Sequence, residues 1–290
     1  MLVTGAAGFI GRNLTTYFLD HGYEVRGLVR SPEKTTGLFP GGNLYKGDLP
    51  HNVDASAFEG VETVIHCAYG TQFRSMKQAT LDNEEATTTV IRLSRESKAR
   101  RLIFMSSLSA HEQARSYYGR SKFALEKLFD EKHDLIIRAG LVIGGGEAGV
   151  FSRMVNPLKK FPFVPLLDGG RQTIQIVHID DVCSAIHSAL KENITGMLSL
   201  ADPAGITLKE FLQRICEKLR KKRIFIPVPS TALLFCIKLL ENMHFSTPIS
   251  SENILGLKHL QFVDTTSDLA RLHMKLLTPE ESIDRIFTSD

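Results

Sequence analysis

Leu2-Val3-Thr4-Gly5-Ala6-Ala7-Gly8-Phe9-Ile10-Gly11 is the stretch whose reading decides the fold. A short apolar strand runs through three glycines into a helix in which Ile10, Leu14 and Phe18 recur at helical spacing before Gly22 stops it. A second strand-like run, Glu24 to Val29, completes a strand-helix-strand unit. Gly5 permits the tight turn, Gly8 lets the backbone approach a pyrophosphate, and Gly11 lets helix close on strand. The helix start offers N–H groups and a positive dipole end to phosphates. A bare glycine pattern is weak, because many strand-to-helix turns use glycine. The complete unit around it makes dinucleotide binding the expectation.

Working outward, Thr63 to Cys67, Leu102 to Ser106 and Leu135 to Arg138 read as further strands, and Gly47-Asp48-Leu49 ends another. Helices are expected over Asn83 to Lys98 and Tyr117 to Glu131. This alternation predicts an α/β fold, a Rossmann-type doubly wound parallel sheet. After Gly149 the chain holds 8 of its 11 prolines and its apolar segments become irregular. A lobe change is therefore placed near Gly144, with Gln172 to Lys191 returning as one more strand and helix. The expected domains are 1–143 with 172–199 for the dinucleotide, and a smaller, discontinuous substrate lobe of 144–171 with 200–290. The glycines Gly144 to Gly146 read equally as a linker or a binding loop.

The 290 residues and 43% apolar content suffice for two cores. A net charge of +3 with dispersed basic residues argues against nucleic acid as a partner. The one basic run, Lys218 to Arg223, follows the helical spacing Phe211, Leu212, Ile215 and Leu219 and reads as the solvated end of an amphipathic helix. Cys67, Cys183, Cys216 and Cys236 form no metal-ligand spacing, so no metal is expected and a reducing cytoplasm is the simplest setting. The glycine turn follows Met1 so closely that no signal peptide is expected, and the short first strand leaves room for a few preceding native residues. The stretch Ala232 to Leu240 is broken by Lys238 and falls far short of the roughly 20 residues that span a bilayer, so no membrane insertion is expected. A homodimer is left open.

The residue ending the second strand selects the cofactor. A carboxylate there binds ribose hydroxyls, whereas a basic group pairs with a 2′-phosphate. Arg30 holds that position, followed by Ser31 and with Lys34 nearby, which points to NADP, with NAD still open. Arg30 stacking on adenine is the competing reading. Asp48 is a candidate for the adenine amino group, or a loop aspartate.

Tyr118 and Lys122 lie four apart at the start of a helix and share a face. A phenol of pKa about 10 is a poor base at neutral pH, and a nearby ammonium favours its ionised form. Such pairs arise by chance on many helices. The preceding strand alters the odds by delivering Ser106 and Ser107 to its carboxyl edge, where open sheets bind ligands. Ser107 is the expected partner of the substrate oxygen and Ser106 the alternative. Tyr117 is followed four residues later by Ser121, with no lysine.

Together these residues resemble the extended short-chain dehydrogenase/reductases: sugar-nucleotide epimerases and dehydratases, dihydroflavonol-type reductases and 3β-hydroxysteroid dehydrogenases. The TGxxGFIG motif of that family matches Thr4 to Gly11, implying cofactor contacts from Gly5, Gly8, Phe9, Ile10 and Gly11. Its Asp-Leu motif matches Asp48 and Leu49, and its fourth-strand signature resembles Val64 to Ala68, placing Ala68 and Tyr69 along the cofactor. Asn83 matches an ordering asparagine. The YxxxK motif falls on Tyr118 and Lys122, of which Lys122 can also hold the nicotinamide ribose hydroxyls, and the active-site serine on Ser107. Arg138-Ala139-Gly140 departs from the usual Arg-Pro-Gly, and Asp180 and Asp181 in a return segment are taken as structural.

The loop from Ser107 to Tyr118 is shorter than in typical sugar-nucleotide epimerases, and Arg30 resembles the NADP-selecting arginine of the dihydroflavonol-type reductases. The leading expectation is an NADP-linked oxidoreductase of a small-molecule carbonyl or alcohol. The alternatives are a sugar-nucleotide epimerase or dehydratase with tightly bound NAD(P), for which Arg153, Lys159, Lys160 and Arg171 could supply charge, and a non-catalytic dinucleotide-binding module.

Overall fold

A computed structural model of the chain describes residues 1–35, 37, 42–70, 76–145, 149–243 and 250–288. Its strands are β1 (Leu2–Thr4), β2 (Arg26–Val29), β3 (Asn43–Asp48), β4 (Asn52–Val53), β5 (Thr63–His66), β6 (Arg101–Ser107), β7 (Leu135–Ala139), β8 (Leu141–Ile143), β9 (Phe163–Leu167), β10 (Thr173–Ile174), β11 (Ile176–His178), β12 (Gly196–Leu200), β13 (Ile206–Thr207) and β14 (Ile224–Val228). Its helices are α1 (Phe9–Asp20), α2 (Met76–Glu96), α3 (Tyr117–Glu126), α4 (Val150–Lys160), α5 (Ile179–Lys191), α6 (Leu208–Lys218), α7 (Ser230–Asn242), α8 (Ser251–Lys258), α9 (Thr266–Arg271) and α10 (Pro279–Thr288). The chain divides into two compact units. The first holds Met1–Ser106, Phe123–Arg138 and Cys183–Leu198, and the second Ser107–Lys122, Ala139–Val182 and Ser199–Asp290.

The first unit is built on an eight-stranded sheet of order β12-β7-β6-β5-β1-β2-β3-β4. Strands β1/β2, β2/β3, β1/β5 and β5/β6 pair in parallel, and β4 turns back antiparallel on β3. The order reverses at β1, because β2 leaves it on one side and β5 on the other. The carboxyl ends of β1, β2 and β5 therefore share one edge at a topological switch point, where open parallel sheets take ligands. Leu2, Leu28, Val64, Leu102, Phe104 and Ile136 fill the core beneath, with Val90, Leu93 and Phe129 packed on them. Phe104 and Phe129 stack with ring centroids 4.6 Å apart. Each such buried side chain contributes roughly 1.5–3 kcal/mol of apolar transfer. In α1, Gly11, Leu14, Thr15 and Phe18 form the buried stripe, and Gly22 at φ 80° accepts the left-handed turn that ends the helix.

The expected strands are present within two residues at each end. Helix α2 begins at Met76 rather than Asn83, because Ala79 is buried and extends the stripe of Asn83, Ala86, Val90 and Leu93 by one turn. Helix α3 stops at Glu126, where Leu128 and Phe129 bond back three residues and the Asp134 carboxylate takes the Asp130 N–H. The return segment corrects the sequence reading. Strand β11 pairs with β8 in a separate two-stranded sheet, and the edge of the main sheet is β12, which lies beyond Lys191. Gly196, at φ 84°, donates its N–H to Asp134 O and starts β12 there.

In the second unit, Phe151, Val155 and Leu158 of α4 pack with Val164 and Leu166 of β9, Phe211, Leu212 and Ile215 of α6, and Ile283 of α10. Helix α6 is amphipathic as its spacing requires, and Thr207 and Glu210 close a capping box at its start. The segment 107–122 groups with this unit, whereas the expected lobes kept it with the dinucleotide half. A Cβ on Gly119 would stand 2.3 Å from Ser109 O and 2.9 Å from Ala114 Cβ, and the Tyr117 N–H donates to the Glu252 carboxylate. Gly146 lies outside the described residues. Among the described residues no helix is long and apolar enough to cross a membrane.

Candidate active site

The glycine turn lies at the carboxyl end of β1. Gly5 has φ +67°, and a Cβ there would lie 2.8 Å from the Ala68 backbone. A Cβ on Gly11 would lie 2.3 Å from Gly5 O, so α1 can sit against the turn only without one. Gly8 caps α1 with no side-chain bond, and no acidic residue stands in the first turn. This helix start, carrying Phe9 and Ile10, fits an anionic diphosphate, because no carboxylate in its own first turn offsets the positive end. Arg30 is exposed one residue beyond β2, and Asp48 is exposed at the end of β3. Leu49 and Tyr69 are partly buried against the core of the first unit.

Beneath this edge runs a chain of polar contacts. Thr4 Oγ1 meets His66 Nδ1 at 2.7 Å, and His66 Nε2 meets Thr87 Oγ1 at 3.2 Å. Thr87 donates to Asn83 O at 2.8 Å, and the Ala68 N–H reaches Thr4 Oγ1 at 3.3 Å. The Asn83 side chain brackets Gly70, accepting its N–H at 2.8 Å and donating to its carbonyl at 3.3 Å. The network ties the ends of β1 and β5 to α2, with His66 and Thr87 essentially inaccessible to solvent. His66 was not singled out by the sequence. Its signal was a histidine in the apolar run Val64-Ile65-His66, where burial requires partners.

Ser107, Tyr118 and Lys122 all belong to the second unit. Strand β6 ends at Ser107, whose Oγ takes the Ser109 N–H at 3.2 Å and whose hydroxyl lies near enough to the Tyr118 phenol to influence its ionisation. Burial of its hydroxyl end pushes the Tyr118 phenol above its ordinary value, and the neighbouring Ser107 hydroxyl opposes that shift. Tyr118 as a whole residue is still 39% exposed, while Lys122 one turn later is buried. Ser106 is differently engaged: it is buried and donates to Glu126 Oε1 at 2.5 Å. Glu126 also receives Arg138 through Nε at 2.9 Å and Nη2 at 2.6 Å. The two adjacent serines thus divide, Ser107 towards Tyr118 and Ser106 into a buried ion pair. Glu126 was missed in the sequence, although it extends the four-residue spacing of Tyr118 and Lys122.

The segment between Ser107 and Tyr118 lines a small cleft with α8, between Ser109, His111 and Arg115 on one side and Leu255 and His259 on the other, with room for about one water molecule. Gly140 is fixed by close packing, since a Cβ would lie 2.4 Å from Gln175 O. Asp180 pairs with Arg285 at 2.8 Å, and Asp181 accepts the Leu277 N–H at 3.0 Å.

Comparison with known proteins agrees with this architecture. The model of the NAD dependent epimerase/dehydratase family matches residues 1–197. A ceramide reductase of Caulobacter vibrioides is 26% identical over 80% of this chain and 74% of its own. A 4-hydroxy-2-methyl-3-oxo-4-farnesyl-3,4-dihydroquinoline-1-oxide ketoreductase of Stigmatella aurantiaca is 25% identical over 74% of this chain and 72% of its own. Among solved structures, the UDP-glucose 4-epimerase of Thermotoga maritima superposes with a TM-score of 0.77 at 18% identity, covering 99% of this chain and 97% of that one. The chain belongs to the NAD-dependent epimerase/dehydratase family and is an enzyme of the extended short-chain dehydrogenase/reductase type.

Proposed function

We propose that the protein is an NADP-linked reductase of a carbonyl compound, with Ser107, Tyr118 and Lys122 as its catalytic residues. The observation that carries this is the placement of Ser107, at the end of β6, beside a Tyr118 phenol that stands one helical turn before the buried Lys122 and that burial pushes above its ordinary pKa. A phenol held protonated at neutral pH is in the form that reduction requires, because the substrate oxygen must gain a proton as the carbon gains hydride. The Ser107 hydroxyl holds that oxygen by a hydrogen bond, and Tyr118 gives it the proton. Lys122 stabilises the phenolate left behind and holds ribose hydroxyls. When bound, the nicotinamide dinucleotide supplies the hydride. Gly5, Gly8, Phe9, Ile10 and Gly11 hold its diphosphate, with Asp48, Leu49, Ala68 and Tyr69 along its adenosine and nicotinamide sides. The second unit supplies substrate recognition.

Arg30 favours NADP and net reduction. It is exposed at the end of β2, where a guanidinium can fork onto a 2′-phosphate. The two curated relatives described above are both named as reductases, which supports the same direction. Fluorescence titration with NADPH and NADH tests the assignment. Charge-assisted bonds to the phosphate contribute about 1.5–3 kcal/mol, so NADPH should bind at least tenfold more tightly, and Arg30→Asp should remove the difference. Equal affinity, or tighter NADH, overturns the NADP assignment. Stoichiometric release of oxidised cofactor during turnover supports reduction, whereas cofactor that stays bound and is regenerated indicates an epimerase or dehydratase. Tyr118→Phe should lower turnover about a hundredfold or more.

A further inference from the structure

Strands β9 and β14 form a parallel ribbon with Phe163 opposite Ile224 and Pro165 opposite Ile226. Alternation sends Val164 and Leu166 into the core of the second unit and leaves Phe163, Ile224 and Ile226 exposed by 56%, 59% and 45%. Pro229 then joins the ribbon to α7, whose first N–H, at Ser230, donates to the Asp168 carboxylate at 2.7 Å, just past the end of β9. Helix α7 is apolar, yet Ser230 is its one fully buried residue, while Phe235 and Leu239 are 71% and 51% exposed. Scattered exposed apolar residues are ordinary; a run of them continuing from ribbon to helix marks an interaction surface.

Basic residues stand at the other end of the ribbon. Lys159 and Lys160 precede β9, Arg220, Lys221 and Lys222 precede β14, and all five are exposed. Arg223 ties the two groups together, donating to Leu158 O at 2.6 Å and Lys159 O at 3.3 Å, while Lys218 is already paired with Asp284 at 2.6 Å. Arg220 ends α6 at φ 53°, a left-handed position that glycine fills at lower cost.

We propose that this basic-tipped ribbon and the exposed side of α7 dock on an anionic phospholipid bilayer. Cations beside apolar side chains match the two layers of a bilayer surface, anionic headgroups over acyl chains. A nucleic acid would engage the cations and leave Phe235, Leu239 and Ile224 in water. The inference is independent of the Ser107-Tyr118-Lys122 reading.

Flotation of the full chain with vesicles tests it. Binding is expected to phosphatidylcholine vesicles with about 30 mol% phosphatidylserine at about 0.1 M salt, and to be at least tenfold weaker to phosphatidylcholine alone. Each lysine or arginine near an anionic surface contributes about a fivefold factor, so Lys221→Ala with Lys222→Ala should weaken partitioning about 25-fold. Arg220→Gly, which relieves the left-handed residue and should fold at least as well as the parent, is expected to weaken it about fivefold. Phe235→Ser with Leu239→Ser should reduce binding to both vesicle types. Absence of binding, or equal binding with and without phosphatidylserine, overturns the proposal. So does a lipid-free dimer that dissociates in the Phe235→Ser, Leu239→Ser variant while vesicle binding is absent.

Discussion

Replacing Ser106 and Ser107 by alanine, one at a time, should give opposite signatures from adjacent positions. The Ser106 hydroxyl is buried and donates to Glu126 Oε1 at 2.5 Å. A hydrogen bond to a charged acceptor contributes about 1.5–3 kcal/mol, and Glu126 keeps both Arg138 bonds, so Ser106→Ala should cost about that much stability. For a chain of this size each kcal/mol moves the midpoint about 2–4 °C, giving a drop of roughly 3–12 °C. Ser107 is partly exposed and bonds neutral groups, so its loss should cost about 1 kcal/mol. Its effect lies instead in titration. The Ser107 hydroxyl lowers a Tyr118 pKa that burial raises, and removing that hydroxyl should push the phenol still higher. The chain has 6 tyrosines and no tryptophan, so tyrosinate absorbance follows this directly, with Tyr118→Phe identifying the step. Thermal melts and alkaline titrations of the three variants supply the comparison. An unchanged midpoint for Ser106→Ala, or an equal tyrosine shift in both alanine variants, would refute the division of labour between the serines.

Two further outcomes follow from packing and charge. Gly11→Ala places a methyl 2.3 Å from Gly5 O, a backbone atom that cannot rotate away, so α1 must shift. The cost should be about 1–3 kcal/mol in thermal stability with at least tenfold weaker NADPH binding by titration, and unchanged affinity would contradict the cradle. His178 is buried, its Nδ1 accepts the Asp180 N–H at 3.2 Å, and burial lowers its pKa below 6.5, against the pull of Asp180 and aided by Arg285. A histidine with depressed folded pKa lets the unfolded chain bind the proton first, so stability is full above pH 6.5 and falls as pH drops through the folded value. Melts at pH 7 and pH 5 should show His178→Gln losing less stability on acidification than the parent; an equal loss would assign the acid sensitivity elsewhere.

What the sequence made legible were positions where backbone geometry dictates residue type. Gly5 and Gly11 could be read because a turn and a close approach exclude every side chain, and the strands because their apolar runs must be buried on both faces. The split between Ser106 and Ser107 was not legible, since it depends on Glu126 and Arg138, 20 and 12 residues apart from their partners along the chain. Strand β12 escaped because Gly196-Met197-Leu198-Ser199-Leu200 is short and has no periodicity that distinguishes an edge strand from a loop. His66 stood within a quoted motif, but only the contacts with Thr4 and Thr87 show that it joins the glycine turn to α2.

The same limit applies to α7, whose apolar stretch the sequence marked only as too short to span a bilayer. Apolar residues at helical or alternating spacing are read as buried, because burial is what such spacing usually accompanies. In α6 that inference holds, and Phe211, Leu212 and Ile215 are inside. In α7 it fails: Phe235 and Leu239 repeat at helical spacing, yet both are exposed. The basic run read as the solvated end of α6 is indeed exposed, but it also stands at the head of an exposed apolar ribbon. Each half is unremarkable alone, a charged helix end and an apolar helix. Their meaning comes from adjacency in the second unit, through Arg223 at one end of the ribbon and Ser230 at the other. The proposed catalytic group follows the same rule: Tyr118 and Lys122 are a chance spacing until the fold sets Ser107 beside the phenol.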